Sequence, residues 1–180
     1  MTSGNATLVT GGARSGKSRF AEQLCVRSGL DRIYLATGAP FDDEMKARID
    51  AHQAQRGVGW TTIEEGLDLA GAVMRAAGPD CVVLVDCLTL WLNNLMMAEC
   101  DLAAETARLT DAIRGLNGPC VLVSNEVGLG IVPENRLART FRDAQGRLNQ
   151  DIASVCAQVV FVAAGQPLLM KSRQEPEITL

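Results

Sequence analysis

Ala6-Thr7-Leu8-Val9-Thr10-Gly11-Gly12-Ala13-Arg14-Ser15-Gly16-Lys17-Ser18-Arg19-Phe20-Ala21 is the stretch on which the reading of this chain turns. Ala6–Thr10 is a short aliphatic and β-branched run, and Phe20, Ala21, Leu24 and Cys25 then recur at helical spacing. Between the two, Gly11–Ser18 satisfies G-x-x-x-x-G-K-[ST], with the strand before and the helix after that this motif requires. Its glycines let backbone N–H groups turn inward around phosphate oxygens, where a Cβ would obstruct. The helix start adds unpaired N–H donors and the positive end of its dipole. Lys17 supplies a full charge, worth about 4 kcal/mol at roughly 4 Å for an effective dielectric near 20. Ser18 offers a hydroxyl to Mg²⁺, and Gly29 stops the helix at C′. The expected phosphate site is therefore Gly11, Gly12, Ala13, Arg14, Ser15, Gly16, Lys17 and Ser18.

Outward from this stretch the same alternation continues. Further strand runs are Arg32–Ala36, Trp60–Glu64, Cys81–Asp86, Cys120–Ser124 and Val159–Val162. Leu137, Phe141, Ala144, Leu148, Ile152 and Val155 mark one amphipathic helix, which Pro133 opens near its first turn. Asp101 caps another, with Leu102, Thr106, Leu109, Ile113 and Leu116 facing inward. Strands apolar on both faces and separated by helices imply a mostly parallel sheet covered on both sides. The expected fold is α/β, a P-loop domain of the RecA-like kind spanning 1–165. Residues 166–180, with Pro167 and Pro176, read as a loosely attached tail.

A chain of 180 residues suits one domain, and 47% hydrophobic with 21% charged residues is a globular composition. The net charge of -4 argues against a nucleic-acid backbone or an anionic membrane as main partner. No apolar stretch reaches the ~20 residues that span a bilayer. The start carries no charged and apolar leader, and the six cysteines lack zinc-knuckle spacing. Those features predict a reduced, cytoplasmic protein.

A phosphate loop needs a carboxylate to order its metal. Cys81-Val82-Val83-Leu84-Val85-Asp86 reads as a buried strand delivering Asp86 to the sheet edge where ligands bind. Asp86 also reads as an N-cap of the following helix, and Glu126 is a rival for the metal. The single histidine, His52, lies in a helical pattern from Asp42 where an apolar stripe meets Arg48 and Arg56. Two guanidinium groups beside it lower its pKa from ~6.5 and favour the neutral, nucleophilic imidazole. A boundary histidine on a packed helix is the other reading.

Several blocks together resemble one family. They are Thr10–Ser18 (TGGARSGKS), Tyr34–Gly38 (YLATG), Asp42-Asp43-Glu44-Met45 with Arg48, Ile49 and His52, and Asp86–Leu95 (DCLTLWLNNL). The longest is Ser124–Asp143 (SNEVGLGIVPENRLARTFRD), continuing to Gly146–Gln150. Collinear from about Leu8 to Val162, they are similar to the bifunctional adenosylcobinamide kinase / adenosylcobinamide-phosphate guanylyltransferase family of cobalamin biosynthesis. The resemblance implies that ATP or GTP phosphorylates the aminopropanol hydroxyl of adenosylcobinamide. GTP then donates GMP to that phosphate through a GMP-histidine intermediate, at the position of His52. Nucleotide contacts carried over are Ala36, Thr37, Gly38, Gln53, Ala54, Gln55, Arg56, Glu64 and Asp86, with Mg²⁺ on Ser18 and Asp86. The partners implied are GTP or ATP and a corrinoid, in a homo-oligomer that the resemblance suggests is a trimer. Arg136, Arg139, Arg142 and Arg147 are either an ion-paired solvated face or contacts to phosphate, corrinoid or another subunit. Trp60 and Trp91 read as core or interface anchors.

Other readings of the P-loop are a kinase of another small molecule with His52 structural, a hydrolysis-driven switch module, and a silent nucleotide-binding protein. A covalent nucleotide on His52 separates the family reading from all three.

Overall fold

Among the described residues, seven strands form one sheet in the order β3-β2-β4-β5-β1-β6-β7. The computed structural model describes residues 5–38 and 57–172. Along the chain come β1 (Ala6–Gly11), α1 (Lys17–Arg27), β2 (Asp31–Ala36), β3 (Trp60–Glu64), α2 (Leu69–Ala76) and β4 (Cys81–Asp86). There follow α3 (Leu88–Met97), α4 (Leu102–Arg114), β5 (Cys120–Asn125), α5 (Arg136–Val155), β6 (Gln158–Ala163) and β7 (Gln166–Lys171). Neighbours from β3 to β6 pair in parallel, which brings the C-terminal ends of β1 to β5 to one edge. Among the described helices none is long and apolar enough to cross a membrane.

Alternation within the strands builds two cores. Leu8, Leu35, Val83, Val85, Leu122 and Val159 face α2 to α5, and the fully buried Trp91 packs there. Its Nε1–H donates to the Leu67 carbonyl at 2.8 Å, so the indole is buried without losing a polar partner. Val9, Val82, Leu84, Val121, Val123 and Val160 point the other way, onto Ala21 and Cys25 of α1. Cap chemistry places the helix ends. Gly29 adopts φ 71 after α1, and Asp101 accepts from the Ala103 and Ala104 amides.

Four sequence expectations need correction. Gln166–Lys171, expected within a loose tail, pairs antiparallel with β6 as an edge strand, where Pro167 is tolerated. β3 is an edge strand too, exposed from Thr61 to Glu64 rather than apolar on both faces. The last long helix begins at Arg136 under an Asn135 cap, so Pro133 lies outside it. Leu137, assigned to its apolar face, is 66% exposed, in a first turn where Arg136 and Ala138 are exposed as well.

Candidate functional site

The loop between β1 and α1 is shaped by backbone conformations that its small residues allow. Gly16 sits at φ 94, in the left-handed region that glycine enters freely, whereas Arg14 holds φ 56 as a rarer non-glycine case. A Cβ on Gly11 would overlap the Val162 carbonyl oxygen of β6. Gly16 is the N-cap of α1 and brings no side chain to it, which leaves the helix's first amides turned toward the loop. Ser15 Oγ and Thr10 Oγ1 are buried here without a hydrogen-bond partner. The loop is braced from behind by the β6–β7 turn, where Gly165 N–H donates to the Ser15 carbonyl at 2.8 Å.

Lys17 opens α1 and is only 9% exposed. Its ammonium donates to the Gly12 carbonyl at 3.2 Å, spanning the loop it serves. Burial holds the ammonium below the usual lysine range, opposed by the nearby Cys87 thiol and the Asp86 carboxylate. Asp86 thus lies within electrostatic reach of Lys17, from the end of a strand two places away in the sheet. The Tyr34 hydroxyl donates to its Oδ2 at 3.3 Å. Tyr34 is set by an edge-on contact with Trp60, whose ring also carries the Arg32 guanidinium at 5.4 Å. Beside Asp86, burial pushes the Cys87 thiol up to about 11, so it is protonated at neutral pH.

This geometry bears on two alternatives left open by the sequence. Cys87, not Asp86, occupies the N-cap of α3, so Asp86 does not cap that helix. Glu126 turns its Oε1 to its own loop, accepting from the Gly128 amide at 2.6 Å, while its N–H donates to the Gly11 carbonyl. Asp86 is the carboxylate that the sheet brings beside Lys17.

In register across the edge, Ala36 pairs with both Glu64 and Asp86. Glu64 is exposed at the end of β3, and Ser18 is half-buried one residue after Lys17. Thr37 is fully buried, with its hydroxyl committed to the Cys87 backbone. His52 and Gln53–Arg56 lie outside the described residues, as does the Asp42 cap. Of the α5 arginines, Arg142 pairs with Asp143 and Arg139 donates to the Pro133 and Glu134 carbonyls.

Sequence reasoning passed over Tyr34, Asn94 and a polar side-chain network behind the edge. In that network Ser124 Oγ donates to Asn149 Oδ1 at 2.6 Å, and Gln145 Nε2 donates to both. Asn149 then donates to the Asn125 carbonyl, fixing the tip of β5 against α5. The available signal was a polar residue on an otherwise apolar stripe, as Asn94 is among Leu88, Trp91, Leu92 and Leu95.

Comparison with known proteins follows the same outline. The family described as cobinamide kinase / cobinamide phosphate guanyltransferase matches residues 7–170. A Pseudomonas aeruginosa protein named bifunctional adenosylcobalamin biosynthesis protein CobP is 46% identical over 168 residues, covering 91% of this chain and 96% of its own length. A Salmonella typhimurium protein named bifunctional adenosylcobalamin biosynthesis protein CobU is 43% identical, covering 88% of this chain and 95% of itself. Among solved structures, the RadB recombinase superposes with a TM-score of 0.55 at 18% identity, covering 97% of this chain and 84% of its own. The flagellar accessory protein FlaH from Methanocaldococcus jannaschii gives 0.52 at 12% identity, over 94% and 79%. These two likenesses concern the fold.

Proposed function

Because the chain belongs to the cobinamide kinase / cobinamide phosphate guanyltransferase family, whose members in bacteria are named as bifunctional enzymes, we propose that it carries out both reactions in cobalamin biosynthesis. In the first, the γ-phosphoryl of ATP or GTP passes to the aminopropanol hydroxyl of adenosylcobinamide. In the second, GTP donates GMP to the new phosphate, giving adenosylcobinamide-GDP and pyrophosphate. The observation that carries this reading is a phosphate loop whose buried Lys17 lies within electrostatic reach of Asp86, inside a chain matched to the family over residues 7–170.

The chain's own residues divide the work. Loop amides from Gly11 to Ser18 and the α1 N-terminus hold the phosphates. Lys17, desolvated, bonded to the Gly12 carbonyl and within electrostatic reach of Asp86, neutralises charge that builds on the transferred group. Ser18 and Asp86 are hard oxygen donors of the kind that hold Mg²⁺ together with substrate phosphates, and Mg²⁺ there would supply charge neutralisation. In the second reaction an imidazole nitrogen of His52 attacks the α-phosphorus of GTP and the bond to pyrophosphate breaks. The cobinamide phosphate oxygen then attacks the same phosphorus, and the P–N bond breaks to free His52. Ala36, Thr37, Gly38, Gln53–Arg56 and Glu64 are assigned to the nucleotide by motif.

We read the enzyme as a cytoplasmic homo-oligomer. Leu129 and Ile131, 80% and 96% exposed, with Val132 and Leu137 form the kind of apolar surface that subunit contact covers.

The test is incubation with α-³²P-GTP and Mg²⁺, denaturation, and comparison of wild type with His52→Ala. An acid-labile, base-stable label lost in the variant is the expected phosphoramidate. Wild-type protein that binds GTP yet takes up no label would return the chain to a P-loop kinase with a structural His52.

A further inference from the structure

We infer that Asn94 and Thr37 are positioning residues for Asp86, holding it through the backbone rather than by touching its carboxylate. The inference rests on the reading of Asp86 as the carboxylate of the phosphoryl-transfer site. At the C-terminal edge of a parallel sheet the ladder stops, so the peptide groups just beyond it need other partners. Asp86 ends β4 at that edge, and Cys87 after it is buried. Thr37, 0% exposed, satisfies this peptide on several sides. Its N–H donates to the Asp86 carbonyl at 3.3 Å. Its hydroxyl donates to the Cys87 carbonyl at 2.7 Å and accepts from the Cys87 N–H at 2.9 Å.

Thr37 is in turn held from α3. Asn94 Nδ2 donates to the Thr37 carbonyl at 2.8 Å and to the Gly66 carbonyl at 3.1 Å. One buried amide therefore joins the exits of β2 and β3, and Thr37 extends the tie to the exit of β4. The fit is close, since a Cβ on Gly66 would lie 3.2 Å from Asn94 Nδ2. Packing alone would favour leucine at position 94, continuing the stripe of Leu88, Trp91, Leu92 and Leu95. Asparagine instead leaves its Oδ1 buried and unpaired, a cost to stability, so its worth lies in the two bonds it donates.

The experiment measures affinity for a fluorescent GTP analogue with and without Mg²⁺, together with kcat for cobinamide phosphorylation. It compares wild type, Asn94→Ala, Asp86→Asn and the double variant. Asn94→Ala is expected to leave metal-free affinity within about twofold, and to cut both the Mg²⁺-dependent gain and kcat about tenfold. On the Asp86→Asn background the same change adds less than about twofold, because its effect passes through Asp86. Asn94→Leu, which keeps the packing of the apolar stripe but removes both donated bonds, shifts both readouts in the same direction and carries the test if Asn94→Ala does not fold. Losses that multiply on the Asp86→Asn background, or that fall equally with and without Mg²⁺, overturn the inference alone. If Asp86→Asn by itself changes neither readout, the reading of Asp86 falls and the inference with it.

Discussion

Lys17 is held where its charge is costly until a phosphate arrives. Burial lowers its pKa from the ordinary 10.5, with Cys87 and Asp86 acting the other way. Between that lowered value and 10.5 the unfolded chain binds more protons than the folded one. The free protein therefore gains stability as pH rises through this window, and carries the full penalty below it. Bound phosphates favour the charged form, so nucleotide binding takes up a proton in the same window. Affinity for a fluorescent GTP analogue is expected to fall as pH rises through it, approaching about tenfold per pH unit. Titration through the pH range below 10.5 checks this, and a flat wild-type profile would count against it. The motif names Lys17 from sequence alone. Its burial and its proximity to Asp86 depend on a strand more than sixty residues away.

The helix end that Asp101 marks was legible because its chemistry is local. Asp101 needs only the two amides that follow it, and Asn135 does the same for α5. Asp101→Ala is expected to cost about 1 kcal/mol, lowering Tm by roughly 2–4 °C for a chain of this size. The control is Asp111→Ala on the same helix, whose ion pair with Arg114 is exposed on both sides. That pair is worth ~0.5 kcal/mol or less, because water screens it and both side chains lose freedom in forming it. Thermal unfolding of the two variants ranks them, and equal shifts would deny the cap its role. Pro133 misled for a related reason. Proline tolerates a helix start without requiring one, whereas Asn135 supplies the acceptor that makes it.

Across the whole molecule, the β6–β7 hairpin bears on the phosphate loop as well as on the sheet edge. Its turn donates to Ser15, and Lys171 at its far end donates to the Ala153 and Ser154 carbonyls at the close of α5. A chain ending at Ala163 is expected to melt at lower temperature and to bind the GTP analogue several-fold to about tenfold more weakly. Met170→Gln, an exposed change on β7, leaves affinity unaltered in the same assay. Unchanged affinity in the shortened chain would show that the turn does not support the loop. The sequence by itself determined the strand–loop–helix at Gly11–Ser18, the existence of six strands, the parallel α/β class and the candidate residues Lys17 and Asp86. Each follows from patterns within a few residues: apolar period, a capping acceptor, or glycines where a Cβ would clash. Only the tertiary structure decided the strand order, the return of Gln166–Lys171 to the sheet and the clamp of Thr37 and Asn94 on the Asp86 peptide. These depend on which edges pair and which buried donors meet across elements far apart in the chain, and no local pattern records such meetings.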